Sequence, residues 1–417
     1  MVLKSYLKRL NFKKCFLLAN PDQRLFLSNS YFQASAYITV AMKPTYLVVM
    51  LISLLIMMLL LRIKFPAANL VRREPSDLFF GIDAAYEDMD EVKRLVDEVS
   101  SYTNVFVLGC TGITHNLTRL DEMCQYIYDK GMYFIIYREH TAPATEWLEE
   151  AKAKWGDKFL GFYAYDEAGG WQLDFYDLRP VFKADNYTDA AKQFEGNMNR
   201  ILDWYTRSYT NSTEYPLFTS DYALYWFDYK GGYDTVFAEF GWNYSRQLNI
   251  ALCRGAATMQ GKDWGAIITW TYTEPPYLES RLELFKDLML AYENGAKHII
   301  VFDTNEEYTH GVLGKEQLHA LSVFWHYVQN NPRNSFPVSD RVAYVLPKDY
   351  AYGFRGPNDK IWGFWEADAF SDKLCQKLGS LIEEYGFRLD VIYDDGLDNG
   401  STCGYSKLIF WNGTVVT

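Results

Sequence analysis

Acidic side chains recur at intervals along the central part of the chain, and each follows a short apolar run. An acid placed in this way can serve as a proton donor, a base or a nucleophile when its surroundings tune its pKa. It can also cap the helix that follows the run, which explains two or three of these acids more readily than all of them. The set comprises Asp83, Glu139, Asp166, Glu167, Asp221, Glu239, Glu274 and Asp303, with Arg138 directly before Glu139.

The stretch GFYAYDEAGGW, residues 161–171, holds the adjacent acids Asp166 and Glu167, followed after Ala168 by two glycines. Adjacent residues of a strand point to opposite faces, so these two carboxylates are not expected to share one pocket. Glycoside hydrolysis needs two carboxylates, ~5–5.5 Å apart for retention or ~6.5–9.5 Å apart for inversion. If one acid of the doublet takes part in such chemistry, its partner must therefore come from another segment.

Tryptophan and tyrosine residues crowd the same positions as the acids, in a chain with 33 Tyr, 12 Trp and an aromatic share of 17%. Aromatic rings can stack against sugar C–H faces and can equally fill a core, but their coincidence with the acids favours a glycan-binding cleft. The predicted substrate-binding residues are Asp83, Arg138, Asp221, Trp171, Trp226, Trp242, Trp270, Tyr272 and Asp303. The same positions also hold Tyr86, Tyr137, Tyr165, Tyr222, Tyr225 and Tyr277.

The elements that must position these residues alternate between β-type runs and helical patterns from residue 77 onward, which predicts a parallel sheet. Eight such units over about 250 residues match a (β/α)8 TIM barrel, whose active site lies at the C-terminal ends of the strands. A doubly wound open sheet is the alternative, although the Gly-x-Gly-x-x-Gly of many nucleotide-binding folds is absent. The strands are predicted at 78–83, 104–110, 132–139, 159–167, 216–221, 234–240, 265–272 and 298–303.

Opposed strands of such a barrel can hold two carboxylates at a hydrolytic separation. Across from strand 4, the predicted partner of Glu167 is Glu274, in the stretch TWTYTEPPY, where two prolines would fix the loop. Glu239 on strand 6 is the substitute if Glu274 points away from the pocket. A protonated Glu would need a raised pKa, which aromatic walls and neighbouring carboxylates promote.

Over residues 77–332 this pattern resembles the clan A glycoside hydrolases, which are (β/α)8 retaining enzymes. The resemblance implies that Glu167, at the end of strand 4, is the acid/base and that Glu274, after strand 7, is the nucleophile. Two features depart from that family: Asp166 stands where it has Asn, and Glu274 lies four residues beyond Trp270. The layout of the whole chain also resembles uncharacterised archaeal membrane-anchored proteins.

A smaller segment over 338–417 follows the barrel, with strands predicted at 341–347, 388–395 and 407–412 and a helix at 367–386. It resembles part of the flavodoxin-like trimerisation domain that follows the barrel in one β-galactosidase family, which implies a homo-oligomer formed through this domain. These elements are too few to complete a sheet of their own. Either the sequence stops early, or the barrel or a second subunit covers the open edge.

The N-terminal part of the chain carries a separate signal. Residues 1–73 hold 11 Lys/Arg and one acid, whereas the remainder holds 30 Lys/Arg and 52 acids. An acidic body makes nucleic acid an unexpected partner. The run YLVVMLISLLIMMLLL, residues 46–61, predicts one transmembrane signal-anchor over 45–63, between a basic cytoplasmic tail (1–44) and a linker (64–76). A cleaved signal peptide is the alternative, and Met42 is the expected start of translation because residues 1–41 show little pattern.

All six Asn-x-Ser/Thr sequons follow the anchor, so the body is expected to be extracytoplasmic and glycosylated. Only six His are present, none in a His-x-His pair, so neither a metal nor another cofactor is expected. The predicted protein is a membrane-anchored glycoside hydrolase that acts on a surface glycan. The alternative is a non-catalytic barrel that binds glycans or serves a structural role in the cell envelope.

Overall fold

The computed structural model describes residues 77–138, 145–206, 215–356, 358–395, 397 and 402–417. The predicted tail (1–44), signal-anchor (45–63) and linker (64–76) lie outside these ranges. Among the residues within them, no helix is both long enough and apolar enough to cross a membrane.

Eight parallel strands close into a barrel in chain order, with the last strand paired to the first, so the predicted (β/α)8 fold is confirmed. Side chains on alternate strand positions fill the barrel interior, including Val107, Ile135, Phe218 and Phe237. The strands are β1 (Phe79–Ala84), β2 (Val105–Leu108), β3 (Tyr133–Arg138), β4 (Phe159–Ala164), β5 (Leu217–Asp221), β6 (Thr235–Phe240), β7 (Asp263–Ile268) and β8 (His298–Asp303).

Helices connect the strands and cover the outer face of the barrel. In several of them the polar first turn is capped by a side chain, as where Ser245 accepts a hydrogen bond from the backbone N–H of Leu248. The helices are α1 (Met89–Val99), α2 (Thr111–Thr114), α3 (Leu117–Asp129), α4 (Thr145–Trp155), α5 (Ala168–Asp174), α6 (Tyr187–Thr206), α7 (Tyr225–Gly231), α8 (Arg246–Gln260), α9 (Arg281–Glu293) and α10 (Lys315–Asn330).

Two barrel strands end three or four residues earlier than predicted, and both differences affect the site. Strand β4 stops at Ala164, because Tyr165 and Glu167 take left-handed backbone conformations with φ of 50° and 54°, which end the extended chain. Strand β7 stops at Ile268, so Glu274 lies on the loop that follows and not at a strand end. The strand predicted at 298–303 matches β8 at both ends, and the remaining strand predictions differ from the structure by at most two residues at either end.

The segment after the barrel forms a four-stranded sheet of β9 (Val342–Leu346), β10 (Leu389–Tyr393), β11 (Lys407–Phe410) and β12 (Val415–Val416). Their order in the sheet is β10-β9-β11-β12, with only β12 antiparallel to its neighbour. Barrel helix α8 lies directly against β10, since a Cβ added at Gly255 would come within 2.4 Å of the Val391 carbonyl oxygen. The barrel therefore covers this part of the small sheet, one of the alternatives left open by the sequence. Between β9 and β10 the chain forms helix α11 (Ala369–Tyr385).

Candidate active site

A layer of polar side chains occupies the C-terminal mouth of the barrel. Counting alternate positions from the apolar interior, Asp83 of β1, Ser220 of β5 and Glu239 of β6 all point inward above Phe218 and Phe237. Glu239 and Asp83 are each only 4% exposed. The mouth thus presents carboxyl and hydroxyl groups where the rest of the interior is apolar.

The carboxyl groups of Glu167 and Glu239 are hydrogen-bonded to each other. The left-handed turn after β4 carries Glu167 over the mouth, where its backbone N–H donates to the Ser220 carbonyl at 3.1 Å. Its side chain is held by the indole of Trp171, which donates from Nε1 to Oε2 at 3.0 Å. The positive φ therefore brings a β4-derived acid against an acid of β6.

Burial makes both carboxyls unusually weak acids. Burial and then the charge of Asp166 raise the pKa of Glu167 to about 8. Burial and then the charge of Glu167 raise the pKa of Glu239 well above its ordinary value. A pair of this kind keeps a proton at neutral pH, so one carboxyl can donate while the other is free to act as a base or nucleophile.

Asp166 lies beneath this pair and is tied to it through Ser220. The Tyr163 hydroxyl donates to Asp166 Oδ1 at 2.5 Å, and the Ser220 hydroxyl lies 2.9 Å from the same oxygen. Ser220 Oγ is also 3.0 Å from Glu239 Oε1. Because a hydroxyl has one proton, Ser220 can donate to only one of the two acids at a time, and it links their protonation states.

Aromatic rings lie beside Glu167 and at the end of β7. Trp171 lies between Tyr165 and Phe175, with ring centroids 5.7 and 6.5 Å away. After the end of β7, Trp270 donates from Nε1 to the Thr304 carbonyl at 2.9 Å, and its ring contacts Phe302 and Tyr308. Both tryptophans remain partly accessible. Such rings offer apolar faces with fixed orientation at the C-terminal end of the barrel.

Some predicted site residues lie at the mouth but face away from the pair. Asp221 accepts hydrogen bonds from four backbone N–H groups, including those of Gly169 and Gly170 at 2.6 and 2.9 Å, and so fixes the start of α5. Asp303 accepts from the backbone N–H groups of Val312 and Leu313 at 2.6 and 2.9 Å. Both occupy outward strand positions, because their inward neighbours are Ser220 and Phe302.

Other predicted site residues lie elsewhere. Arg138 is buried on the outward face of β3, with its guanidinium 5.1 Å from the Phe162 ring centre. Trp226 is buried against Tyr393 of the small sheet. Glu274 is exposed on the loop after β7, where it lines an open cleft of about 470 Å³ together with Trp242 and Tyr272.

Sequence reasoning did not single out Tyr163, Ser220 or Tyr244. Tyr163 and Ser220 lie one position inside the strand ends, and the inward parity of β4 and β5 is the signal that would have found them. Tyr244 lies on the loop after β6, with its ring stacked on Tyr222 at 5.5 Å and an interplanar angle of 16°. Burial, followed by the charges of Glu239 and Glu167, raises the pKa of Tyr244. Within the described ranges, no three His, Cys, Asp or Glu side chains are grouped to hold a metal ion.

Known proteins resemble this chain in fold. No protein-family model matches the chain, and no curated protein matches it. A solved GH5_18 structure from Streptomyces cattleya, in complex with GlcNAc, superimposes with a TM-score of 0.52 at 10% identity, covering 81% of this chain and 99% of that one. The chain therefore has a (β/α)8 barrel of the kind found in glycoside hydrolases.

Two further solved structures match the chain. A GH5_18 variant from Bifidobacterium longum in complex with Manb1-4GlcNAc has a TM-score of 0.49 at 10% identity, over 80% of this chain and 96% of that one. A GH42 β-galactosidase from G. stearothermophilus has a TM-score of 0.48 at 12% identity, over 80% and 67%.

Proposed function

We propose that the protein is a glycoside hydrolase in which Glu167 donates the proton and Glu239 is the second catalytic carboxyl. The observation that carries this proposal is the hydrogen-bonded pair of buried carboxyls with raised pKa values at the barrel mouth. The Trp171 ring beside Glu167, the Trp270 ring after the end of β7 and a glycosidase-type barrel fold support a glycan as the substrate. The aromatic side chains that would stack on sugar rings are Trp171 and Trp270.

The contact between the two carboxyls favours a retaining reaction. Inverting enzymes hold their carboxyls ~6.5–9.5 Å apart to admit a water, whereas retaining pairs stand ~5–5.5 Å apart. Two carboxyl groups that hydrogen-bond to each other leave no room for a water molecule between them. They need to move apart only slightly to admit a glycosidic bond. The hydrogen bond between them lowers the pKa of Glu167 and raises that of Glu239, so the proton of the free pair lies on Glu239. In this mechanism the proton passes to Glu167 as the substrate separates the two groups, and Glu167 then gives it to the leaving oxygen while ionised Glu239 attacks the anomeric carbon. Glu167, now ionised, then activates the water that releases the sugar.

Glu274 is the competing nucleophile, because the clan A resemblance assigns that role to an acid after strand 7. It lies beside Trp242 on an exposed loop, so it would have to move inward to reach a bond held at Glu167. Replacing each acid by its isosteric amide separates the two assignments.

The test is hydrolysis of a panel of aryl glycosides by the full-length protein and its variants. We expect Glu167→Gln and Glu239→Gln to lower kcat by ~10²–10⁴-fold, the usual contribution of acid–base catalysis. Glu274→Gln is expected to retain most activity, and exposed Glu283→Gln is the matched control. Loss of activity in Glu274→Gln with Glu239→Gln unaffected would transfer the nucleophile role to Glu274. Unchanged activity in Glu167→Gln would reject the proposed acid.

A glycan-binding barrel without catalysis is the second candidate, favoured by one observation. The end of β7, where the clan A resemblance expects the nucleophile, carries Thr269 and Trp270 and no acid. This candidate predicts that a glycan array detects binding that depends on Trp171 and Trp270 while no glycoside is cleaved. It also predicts that Glu167→Gln leaves the binding affinity unchanged.

We also propose that the barrel lies outside the cytoplasm, attached to the lipid bilayer by the predicted anchor over 45–63. The sequons support this placement, because the four that lie among the described residues (Asn116, Asn186, Asn243 and Asn412) have exposed asparagines. Intact-mass measurement of the native protein should show glycan mass on these sites. Protease treatment of intact cells should digest the body, and a body protected from protease would contradict the proposal.

Assembly through the small sheet is a further part of the proposal, following its resemblance to a trimerisation domain. Val415 of the short outer strand β12 is 54% exposed, and Trp411, just after β11, is 39% exposed. An apolar surface of this kind suits contact with a second copy. Light scattering in detergent should show an oligomer that Trp411→Glu converts to a monomer, and an unchanged mass would point to a different interface.

A further inference from the structure

The loop between β9 and α11 reaches back from the small sheet to the barrel mouth. We call residues 349–356 and 358–365 of this loop the clamp loop. Its Trp362 carbonyl accepts a hydrogen bond from Gln172 Nε2 of α5 at 2.9 Å. Gly363 has a φ of +72°, and a Cβ there would lie 2.1 Å from the Gln172 carbonyl oxygen. The clamp loop therefore meets the backbone of α5 at a distance that only glycine permits.

A second contact joins the clamp loop to α5 through charge. Arg355 forms an ion pair with Asp174 at the end of α5 and a bidentate pair with Asp359, at 3.0 Å from Nε and 2.6 Å from an Nη. Asp174 Oδ2 also accepts the Tyr222 hydroxyl at 2.9 Å. The Arg355 guanidinium lies 5.8 Å from the Tyr222 ring centre. One arginine of the small domain thus organises an acid and a tyrosine of the barrel.

These contacts lead directly to the carboxyl pair. Helix α5 begins at the residue after Glu167, and its Trp171 donates the hydrogen bond that holds the Glu167 carboxyl. The Tyr222 ring lies against Gly170 of the same helix, where a Cβ would come within 2.2 Å of it, and stacks on Tyr244. Whatever fixes α5 and Tyr222 therefore also fixes Glu167.

Helix α5 needs such support from outside. It has seven residues, and its N-cap residue Glu167 makes no side-chain capping bond. A helix this short is not stable by itself in water, because the unfavourable free energy of forming its first turn exceeds what the few later hydrogen bonds contribute. Asp221 holds its first turn from the barrel side, and the clamp loop holds its last turn from the other side.

The clamp loop itself is well fixed, which a positioning element requires. Trp362 is fully buried, donates from Nε1 to the Asp349 carbonyl at 2.9 Å, and packs its ring on Phe227 at 4.7 Å. Asp349 Oδ2 accepts the Thr188 hydroxyl of α6 at 2.7 Å. The loop is thus joined to the barrel helices α6 and α7 as well as to its own sheet.

We propose that the clamp loop of the C-terminal domain positions the Glu167 carboxyl, with Arg355 as the positioning residue that holds α5 and the Tyr222–Tyr244 pair. The catalytic consequence rests on the proposed glycosidase function, whereas the structural coupling does not. The small domain then supports the active site in addition to packing against the outside of the barrel.

Hydrogen exchange measured by mass spectrometry on the full-length protein tests the coupling without any substrate. We expect Arg355→Ala and Gly363→Ala to speed exchange in the peptide over 165–175 at least about tenfold, because the last turn of α5 loses its partners. Arg355→Lys should restore part of the protection, since an ammonium can pair with one acid but lacks the planar fork that engages Asp359 twice. Arg281→Ala, which removes an exposed ion pair with Glu316, is the control and should change nothing at α5.

Kinetics test the consequence for catalysis on any glycoside that the wild type cleaves. Misplacing a catalytic group by ~1 Å can cost ~10²-fold, so Arg355→Ala should lower kcat by about tenfold or more with KM changed less than about threefold. Arg355→Lys should recover part of kcat. Faster exchange at α5 without any glycosidase activity supports the coupling while counting against the proposed function. Unchanged exchange at α5, or equally faster exchange across the whole chain, would overturn the proposal.

Discussion

A proton held between Glu167 and Glu239 accounts for their direct contact, because two ionised carboxylates so close together would repel each other. The pKa of Glu167 is raised to about 8 from an ordinary value of 4.5, so the folded protein keeps a proton that the unfolded chain loses between those values. The free energy of unfolding therefore falls as pH rises from about 4.5 to about 8. The buried Glu167 carboxyl thus lowers the free energy of unfolding, and this loss increases with pH.

Replacing Glu167 by Gln should remove much of this cost. The amide carries no charge at any pH, and its oxygen can still accept the Trp171 hydrogen bond. We therefore expect Glu167→Gln to raise the Tm relative to the wild type at pH 8 and to leave it nearly unchanged at pH 4.5. Calorimetry at the two pH values is the measurement. A variant that is less stable than the wild type at pH 8 would show that the pair is not under electrostatic strain.

Ser220 is the second residue whose role can be isolated. Ser220→Ala removes the hydroxyl that lies between Asp166 and Glu239, leaving buried acceptors with one donor fewer. Loss of one such partner costs ~1–3 kcal/mol, so we expect activity on a cleaved glycoside to fall by about tenfold to a hundredfold. Exposed Ser380→Ala, on α11, is the control. Activity within a factor of two of the wild type would mean that the hydroxyl does not tune the pair.

At the scale of elements, the turn after β4 and helix α5 act as one unit held by Asp221. Its carboxyl accepts four backbone N–H groups, while the neighbouring Asp228 carboxyl is buried beside it. Burial raises the pKa of Asp221 to about 7 in spite of these donors. The Asp221 carboxyl thus links β5 to the start of α5, which is why it faces away from the carboxyl pair.

Asp221→Asn should loosen this link. An amide has one acceptor oxygen, and its NH₂ group would face N–H donors, so we expect a loss of ~1–3 kcal/mol in the free energy of unfolding. Asp88→Asn at the exposed N-cap of α1 is the matched control, because Asn caps a helix about as well as Asp. Urea denaturation of both variants gives the comparison. Equal stabilities would mean that the four N–H groups find other partners.

At the scale of the whole molecule, a buried charge network joins the barrel to the small sheet. Asp390 of β10 is fully buried and accepts from Arg254 of α8 at 2.8 Å, from Arg341 at 2.7 Å and from the Tyr405 hydroxyl at 3.0 Å. Two guanidinium groups share one carboxylate there, so the carboxylate is needed to offset their buried charge.

Asp390→Ala should therefore destabilise the protein strongly, by ~3–5 kcal/mol, because it leaves buried cations without a partner. Asp263→Ala, which removes an exposed ion pair with Lys297, should cost no more than ~1 kcal/mol. Thermal unfolding of the full chain measures both. A small effect of Asp390→Ala would mean that water or another group enters the interface, and the small sheet would then be less firmly joined to the barrel than its contacts imply.

The amino-acid sequence by itself determined the barrel, since the alternation of apolar runs with helical patterns and the acids at their ends depend only on local order along the chain. It also singled out Glu167, and Glu239 as the substitute for Glu274. Only the tertiary structure decided which acids meet. The left-handed turn at Tyr165 and Glu167, the early end of β7 at Ile268 and the return of the clamp loop to α5 depend on contacts between residues far apart in sequence. A local sequence pattern does not specify such contacts, because the backbone conformation at a turn depends on the residues that pack against it.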